Sequence, residues 1–251
     1  MQQKSYFRSM KPRLTASPFL AHMTADGTPL LDVRAPAEYL RGHIPGAVSV
    51  PLFDDGERAI VGTLYKQESR EAALLKGLEI VGPKMAGFVR EAKALSPEKR
   101  LLLHCWRGGM RSESMAWLFR TAGFEVSVLE GGYKAYRSQL RADFARPWPL
   151  IVLGGKTGTG KTAILHALRE AGEQILDLEG IAHHKGSAFG ALGQAPQPGT
   201  EQFENDLHQQ LQALDPGRRI WVEDESKAIG RVYIPDLFRL QMWQAPLLMV
   251  E

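Results

Sequence analysis

From residue 29 onward, short apolar runs alternate with longer stretches in which apolar residues recur at helical spacing. Runs of four or so apolar residues bounded by turn formers suit strands covered on both faces, and amphipathic stretches between them suit crossover helices. The pattern therefore predicts an α/β chain built on parallel sheets. In the first half it predicts strands at 30–33, 47–50, 101–104 and 126–129, with helices near 68–80, 84–95, 112–122 and 132–144. In the second half it predicts strands at 150–153, 175–178, 220–223 and 247–250, with helices near 161–171, 201–214 and 235–244. Phe203, Leu207, Leu211 and Leu214 fall on one helical stripe, which reads as ordinary core. Residues 186–199 hold four glycines and two prolines and read either as a loop able to close over a ligand or as a plain connector.

Between the halves lies Ala145-Arg146-Pro147-Trp148-Pro149, where each proline removes a backbone donor and restricts the residue before it. A domain boundary there, in a chain of 251 residues, gives an N-terminal tail over 1–28, a first domain over 29–145 and a second over 146–251. The first 20 residues carry Lys4, Arg8, Lys11 and Arg13 and no acid, and are read as a solvated tail in preference to a transit peptide. No apolar run is long enough to cross a bilayer, so no membrane association is expected and a cytoplasmic protein is. Net charge is only +3, which permits a basic face for nucleic acid without demanding one.

Cys105 is the chain's single cysteine, which excludes an internal disulfide and a multi-thiolate zinc site. It follows the run Leu101-Leu102-Leu103-His104 and precedes a predicted helix, within Cys105-Trp106-Arg107-Gly108-Gly109-Met110-Arg111-Ser112. A strand, a tight loop and a helix N-terminus aim N–H groups and the positive end of the helix dipole at one point, where an anion collects and a thiolate is favoured. Gly108 and Gly109 let the loop curl, with Trp106 and Met110 as further loop members. Arg107 and Arg111 add formal charge, so Cys105, Arg107 and Arg111 are the candidate catalytic residues. The spacing His-Cys-x5-Arg-Ser also fits cysteine-dependent phosphatases, and the loop alone does not choose between the two chemistries.

In the second half, Gly155-Lys156-Thr157-Gly158-Thr159-Gly160-Lys161-Thr162 follows an apolar run and opens a helical stretch, the context that a P-loop requires. Gly155, Gly158 and Gly160 let N–H groups wrap a phosphate chain, Lys161 supplies a point charge, and the Thr162 hydroxyl can join a Mg2+ shell. The run Ile220-Trp221-Val222 ends in Glu223-Asp224-Glu225, an acidic strand end suited to the same ion. Asp224 is the candidate ligand, with Glu223 or Glu225 as substitutes. His183-His184 lacks the spacing of a transition-metal site, and none is expected.

Leu31-Asp32-Val33-Arg34, Glu38-Tyr39, the stretch 42–47 and Leu129-Glu130-Gly131-Gly132-Tyr133 together resemble the rhodanese domain, a family that passes sulfur through a cysteine persulfide. The cysteine loop is one residue longer than the family's common short form, which leaves room for a bulkier tetrahedral anion. A rhodanese-like parallel-sheet domain followed by a P-loop NTPase-like one resembles the tRNA 2-selenouridine synthase family, as do the blocks 57–67, 177–190 and 222–226. That resemblance implies tRNA as partner and replacement of the sulfur of wobble 2-thiouridine by selenium. Selenophosphate would donate the selenium, with an S-geranylated intermediate made from geranyl diphosphate. It also implies that Cys105 takes selenium as a perselenide and that the P-loop with Mg2+ holds the expelled diphosphate. Family members continue into a helical C-terminal part, so the second domain is expected to be incomplete, with tRNA contacts or phosphate-clamping arginines beyond residue 251. Two rival readings are a sulfurtransferase or phosphatase with a regulatory P-loop, and a shortened tRNA-binding form without turnover.

Overall fold

The computed structural model describes residues 13–156, 158–187 and 189–251, so residues 1–12, Thr157 of the P-loop motif and Ala188 lie outside the described residues. The chain divides into two compact units, Met1–Ser138 and Gln139–Glu251.

The first unit holds a parallel five-stranded sheet in the order β1-β5-β4-β2-β3. Its strands are β1 (Arg13–Leu14), β2 (Leu30–Asp32), β3 (Val48–Ser49), β4 (Arg100–His104) and β5 (Glu125–Leu129). Its helices are α1 (Ala16–Asp26), α2 (Pro36–Arg41), α3 (Asp55–Gln67), α4 (Arg70–Val81), α5 (Met85–Leu95) and α6 (Met110–Thr121), with a 3-10 turn at Gly82–Lys84. Helix α7 (Gly132–Ala145) contains the division between the units. Leu101, Leu102 and Leu103 of β4 are all buried, as a strand covered on both faces requires, and Val126, Val128, Phe119 and Phe88 complete the core around them.

The second unit holds a parallel four-stranded sheet in the order β11-β6-β8-β7. Its strands are β6 (Leu150–Gly154), β7 (Gln174–Leu176), β8 (Ile220–Glu223) and β11 (Leu247–Met249), and β9 (Ala228–Ile229) with β10 (Val232–Tyr233) forms an antiparallel hairpin. Helices α8 (Lys161–Glu170), α9 (Leu178–Ala182), α10 (Thr200–Gln212) and α11 (Asp236–Gln244) complete it. Phe203, Leu207 and Leu211 of α10 are fully buried, as their stripe predicts, whereas Leu214 of that stripe lies past the end of the helix and is only half-buried. Both units are thus α/β with parallel sheets, and every strand read from the apolar runs is present.

Four differences have local causes. Residues 13–26 are not tail: β1 pairs with β5 in register Arg13 to Val128, and Phe19 of α1 is fully buried. A two-residue strand carries no periodicity to read. Helix α3 escapes the hydrophobic pattern because it buries none of its residues, although Asp54 and Glu57 form a capping box at its start. Strand β7 ends at Leu176, because Asp177 caps α9 by accepting a bond from Gly180 N at 2.7 Å. Helix α6 begins at Met110, two residues earlier than predicted, which puts Arg111 and Ser112 in its first turn.

Candidate functional site

Cys105 stands directly after β4, with its side chain buried. The loop after it is clamped from behind by the start of α7, where Tyr133 N donates to Cys105 O at 2.9 Å and Lys134 N to Trp106 O at 3.0 Å. Because each peptide is planar and trans, the N–H groups of Trp106 and Arg107 point the opposite way, off α7. The clamp is tight enough to require glycine at Gly132. With φ at 61°, a Cβ there would lie 2.3 Å from Cys105 O and 2.5 Å from Gly108 N. Tyr133 itself lies under the fully buried Arg34, whose guanidinium sits 3.9 Å from the ring centroid and donates to Asp32 and to Gly42 O. Burial works to raise the Asp32 carboxyl, but His104 and Arg34 more than offset it and hold it below the ordinary carboxylate value.

The Cys105 sulfur lies 3.3 Å from the Ser112 hydroxyl, which in turn reaches Gly109 O at 3.1 Å. Above the thiol is a cleft of about 660 Å³ lined by Cys105, Trp106, Arg107, Gly109, Met110 and Arg111, and closed on its other side by α3. Arg58 and Lys66 of α3 line the same cleft, which therefore holds four cationic side chains together with the Cys105 thiol. Two of the four were not among the residues singled out from the sequence. The expected clamp by Arg111 needs correction. Its Nη1 donates to Glu38 Oε2 at 2.6 Å, and Arg58 Nε donates to the same oxygen at 2.9 Å. Burial pushes the Glu38 carboxyl up, but Arg111 and then Arg58 pull it below its ordinary value. Arg111 is held by a carboxylate from α2, and Glu38 thereby orients two of the four cations. Gly108 sits at φ 63°, 2.7 Å from Leu129 O at the Cβ position, so it serves loop packing.

The second loop leaves β6 at Gly154 and enters α8 at Lys161, with Gly160 as N-cap at φ 84° and Gly158 at φ 88°. A Cβ on Gly155 would meet Val250 O at 2.8 Å and Thr159 Oγ1 at 2.9 Å. Lys161 Nζ donates to Gly155 O at 2.9 Å, across the loop. Thr162, in the first turn of α8, donates to both Glu179 Oε2 and Glu223 Oε2 at 3.2 Å. Here the expectation for Asp224 is corrected: its backbone N–H continues the ladder to Leu153 O at 2.9 Å, and its side chain points into solvent. Glu223, one residue earlier, turns inward and is buried. Glu225 and Glu179 stand beside it, and ligand oxygens of the three glutamates lie within 4.8 Å of one another.

Burial pushes the Glu223 carboxyl up to about 8, with Glu179, Asp177 and Glu225 adding like-charge repulsion. Burial and Glu179 push Glu225 up to about 7, and burial raises Glu179 as well. Glu223 Oε1 is buried without a hydrogen-bond partner. Such a group of oxygen donors, crowded and under-satisfied, suits a small hard divalent cation. Glu179 lies in the block 177–190 that resembles the family, but its role was not legible there, since it comes from α9 after β7 and reaches Thr162 only through the β6-β8-β7 strand order.

A cysteine loop and a P-loop, each at the carboxyl end of a parallel strand in its own unit, define a rhodanese-like domain joined to a P-loop domain. Residues 15–139 match the rhodanese-like domain family, and residues 148–251 match the tRNA 2-selenouridine synthase AAA domain. The tRNA 2-selenouridine synthase of Nitrosomonas europaea is 40% identical over 223 residues, covering 84% of this chain and 56% of that protein. The protein of the same name from Sulfurovum sp. is 40% identical over 238 residues, covering 90% and 63%, and that of Bdellovibrio bacteriovorus is 39% identical, covering 92% and 63%. The chain belongs to the tRNA 2-selenouridine synthase family and spans about three fifths of the length of these relatives.

Proposed function

We propose that this chain carries the two reaction centres of a tRNA 2-selenouridine synthase. In this reading the P-loop unit alkylates the sulfur of wobble 2-thiouridine with geranyl diphosphate, and the cysteine unit replaces the alkylated sulfur by selenium from selenophosphate. The observation that carries it is the pairing, in one chain, of two anion loops with opposite equipment. One has a thiol in a cleft also lined by Arg58, Lys66, Arg107 and Arg111. The other has Lys161 and a Thr162–Glu179–Glu223 group and no nucleophile.

Each set of residues suits one half-reaction. Alkylation forms an S–C bond and expels diphosphate. Growing charge on that leaving group is met by the N–H groups of the loop and by Lys161. Thr162, Glu223, Glu179 and Glu225 would hold a Mg2+ ion there, which supplies charge neutralisation for the diphosphate. In the second half-reaction a C–Se bond forms at C2 and the C–S bond breaks, with sulfur leaving as the geranyl thiolate, which takes up a proton. The cationic side chains bind the phosphoryl oxygens of selenophosphate, and the Cys105 thiolate attacks its phosphorus. The P–Se bond breaks, selenide is released to attack C2, and water then hydrolyses the phosphocysteine to phosphate.

Nucleoside mass spectrometry of a 2-thiouridine anticodon RNA incubated with the protein, geranyl diphosphate, selenophosphate and Mg2+ tests this directly. Lys161→Ala should abolish S-geranylation yet leave selenation of pre-geranylated RNA largely intact. Cys105→Ala should accumulate the late-eluting geranylated nucleoside. If both substitutions block one and the same step, the division of labour is wrong. Transfer of the outer sulfur of thiosulfate to cyanide, releasing sulfite, or hydrolysis of phosphate esters, without either nucleoside product would favour a sulfurtransferase or phosphatase instead.

A further inference from the structure

Beside the cysteine cleft, and sharing Phe53, Val61, Tyr65, Met110 and, at the junction, Arg111 with it, lies a second pocket of about 170 Å³ between α3, α4 and α6. Its remaining cation is Arg70, and its wall is otherwise mostly apolar. The two pockets differ in character. The cleft presents four cations, whereas Leu74 and Leu78 of α4 extend the shared wall into an apolar chamber. Its rim is unusual for a soluble surface. Leu78 is 60% exposed, Tyr65 60%, Met110 49% and Leu74 44%, a cluster of large apolar side chains on one mouth. Helix α4 buries only Ala73 of its 12 residues, so its leucines are not serving the core of the unit. An apolar chamber opening off a cationic cleft fits a ligand with a charged or polar reacting end and an aliphatic tail attached next to it.

We infer that this chamber binds the branched aliphatic chain carried on the sulfur of the alkylated nucleoside, placing the C2–S bond over Cys105. The inference rests on the proposed two-step reaction for the identity of the chain. It adds a location for it: the tail is held in the cysteine unit by Val61, Leu74, Leu78 and Met110, so that an unalkylated 2-thiouridine lacks the contact that seats it. The alkyl group then serves as a recognition handle for the second step, besides leaving with the sulfur. Burying a chain of this size in place of a methyl removes many CH2 groups from water, a gain that outlasts the costs of immobilisation.

Two nucleosides, S-geranyl-2-thiouridine and S-methyl-2-thiouridine, separate the chamber from everything else that binds RNA. With the full chain and no selenium donor, the geranyl nucleoside should bind at least roughly tenfold more tightly than the methyl one. It should also shift the methyl resonances of Val61, Leu74, Leu78 and Met110. Leu74→Glu with Leu78→Glu, both at partly exposed positions, should erase the preference and leave the weak binding of the methyl nucleoside unchanged. Gly77→Leu, at a position that lines the chamber and not the cleft, should do the same by bulk without adding charge. Equal affinities in the unsubstituted protein, or a preference that survives all three substitutions, overturns the inference. So does a concentration-dependent increase in sedimentation coefficient that the two glutamates abolish while nucleoside preference persists, since a second copy then covers the leucines. Failure of the reaction reading looks different: a clear geranyl preference with neither modified nucleoside formed in the turnover assay leaves the chamber in place and removes the reaction.

Discussion

Glu38 and Glu223 show how one carboxylate sets the chemistry of each loop. Glu38 bonds Arg111 and Arg58 at the rim of the cysteine cleft, so their positive charge is partly spent inside the protein. Glu38→Gln should free both guanidiniums and tighten phosphate binding roughly two- to fivefold, the scale of one partly screened charge. Arg111→Ala should do the opposite, and isothermal titration with phosphate distinguishes them. At Glu223 the sign runs through protonation. An unfolded glutamate has a value near 4.5, whereas the folded chain holds Glu223 at about 8 and Glu225 at about 7. Between those values the folded state binds more protons than the unfolded one, so stability is full at low pH and is lost as pH rises from about 4.5 to about 8. Denaturation of the metal-free protein between pH 5 and pH 8.5 should show this downward slope, and Glu223→Gln should flatten it. An upward slope in the unsubstituted chain would contradict the buried acidic group.

At the scale of elements, the cysteine loop depends on three segments that are distant in sequence. Strand β4 delivers Cys105, α7 takes the loop's carbonyls, and α3 closes the cleft. Gly132 is the joint of this arrangement, since its φ of 61° and the backbone atoms of Cys105, Arg107 and Gly108 around it leave no room for a side chain. Gly132→Ala should cost at least about 1–2 kcal/mol from the left-handed backbone alone, measured by urea unfolding. It should also change the rate at which Cys105 is alkylated, because the substitution pushes on the carbonyl of that residue. Unchanged alkylation would mean that the loop holds its shape without α7. Helix α3 contributes differently, with nothing buried and two cations facing the cleft. Its place is set by Val61, which packs against the core of the unit, together with the cap at Asp54 and the Lys84–Glu57 and Arg58–Glu38 ion pairs, which carry modest energies but fix orientation.

For the whole molecule, each compact unit has its own sheet and its own anion loop. Unfolding need not be a single transition in such a chain. A ligand that binds one folded unit stabilises that unit by RT ln(1 + L/Kd), which grows with the free ligand concentration L. Mg2+ with diphosphate should therefore raise the melting temperature of a transition that Lys161→Ala makes insensitive and Cys105→Ala does not alter. Differential scanning calorimetry on the two variants checks this, and loss of the Mg2+–diphosphate shift in the Cys105 variant would show that the loops do not bind independently. Among the described residues no helix is long and apolar enough to cross a membrane.

Strand order, register and the closeness of distant loops were decided by tertiary structure, whereas the strands themselves and both loops are legible in residue order. Leu101-Leu102-Leu103 must be a strand covered on both faces, and a glycine-rich turn after Leu150-Ile151-Val152-Leu153 must open a helix, because these are local consequences of burial and backbone freedom. Cys105, Lys161 and Thr162 follow from them, each lying within a few residues of the element that aims it. The residues missed were the partners those side chains meet. Glu38 meets Arg111 from 73 residues away, Arg58 meets Glu38 from 20 and Glu179 meets Thr162 from 17. The choice of Glu223 over Asp224 turned on which side of β8 faces α8. Such contacts depend on strand order and on the inward or outward turn of single residues, and the energy that settles them, the packing of one helix or strand against another, is not a property of any short stretch of chain.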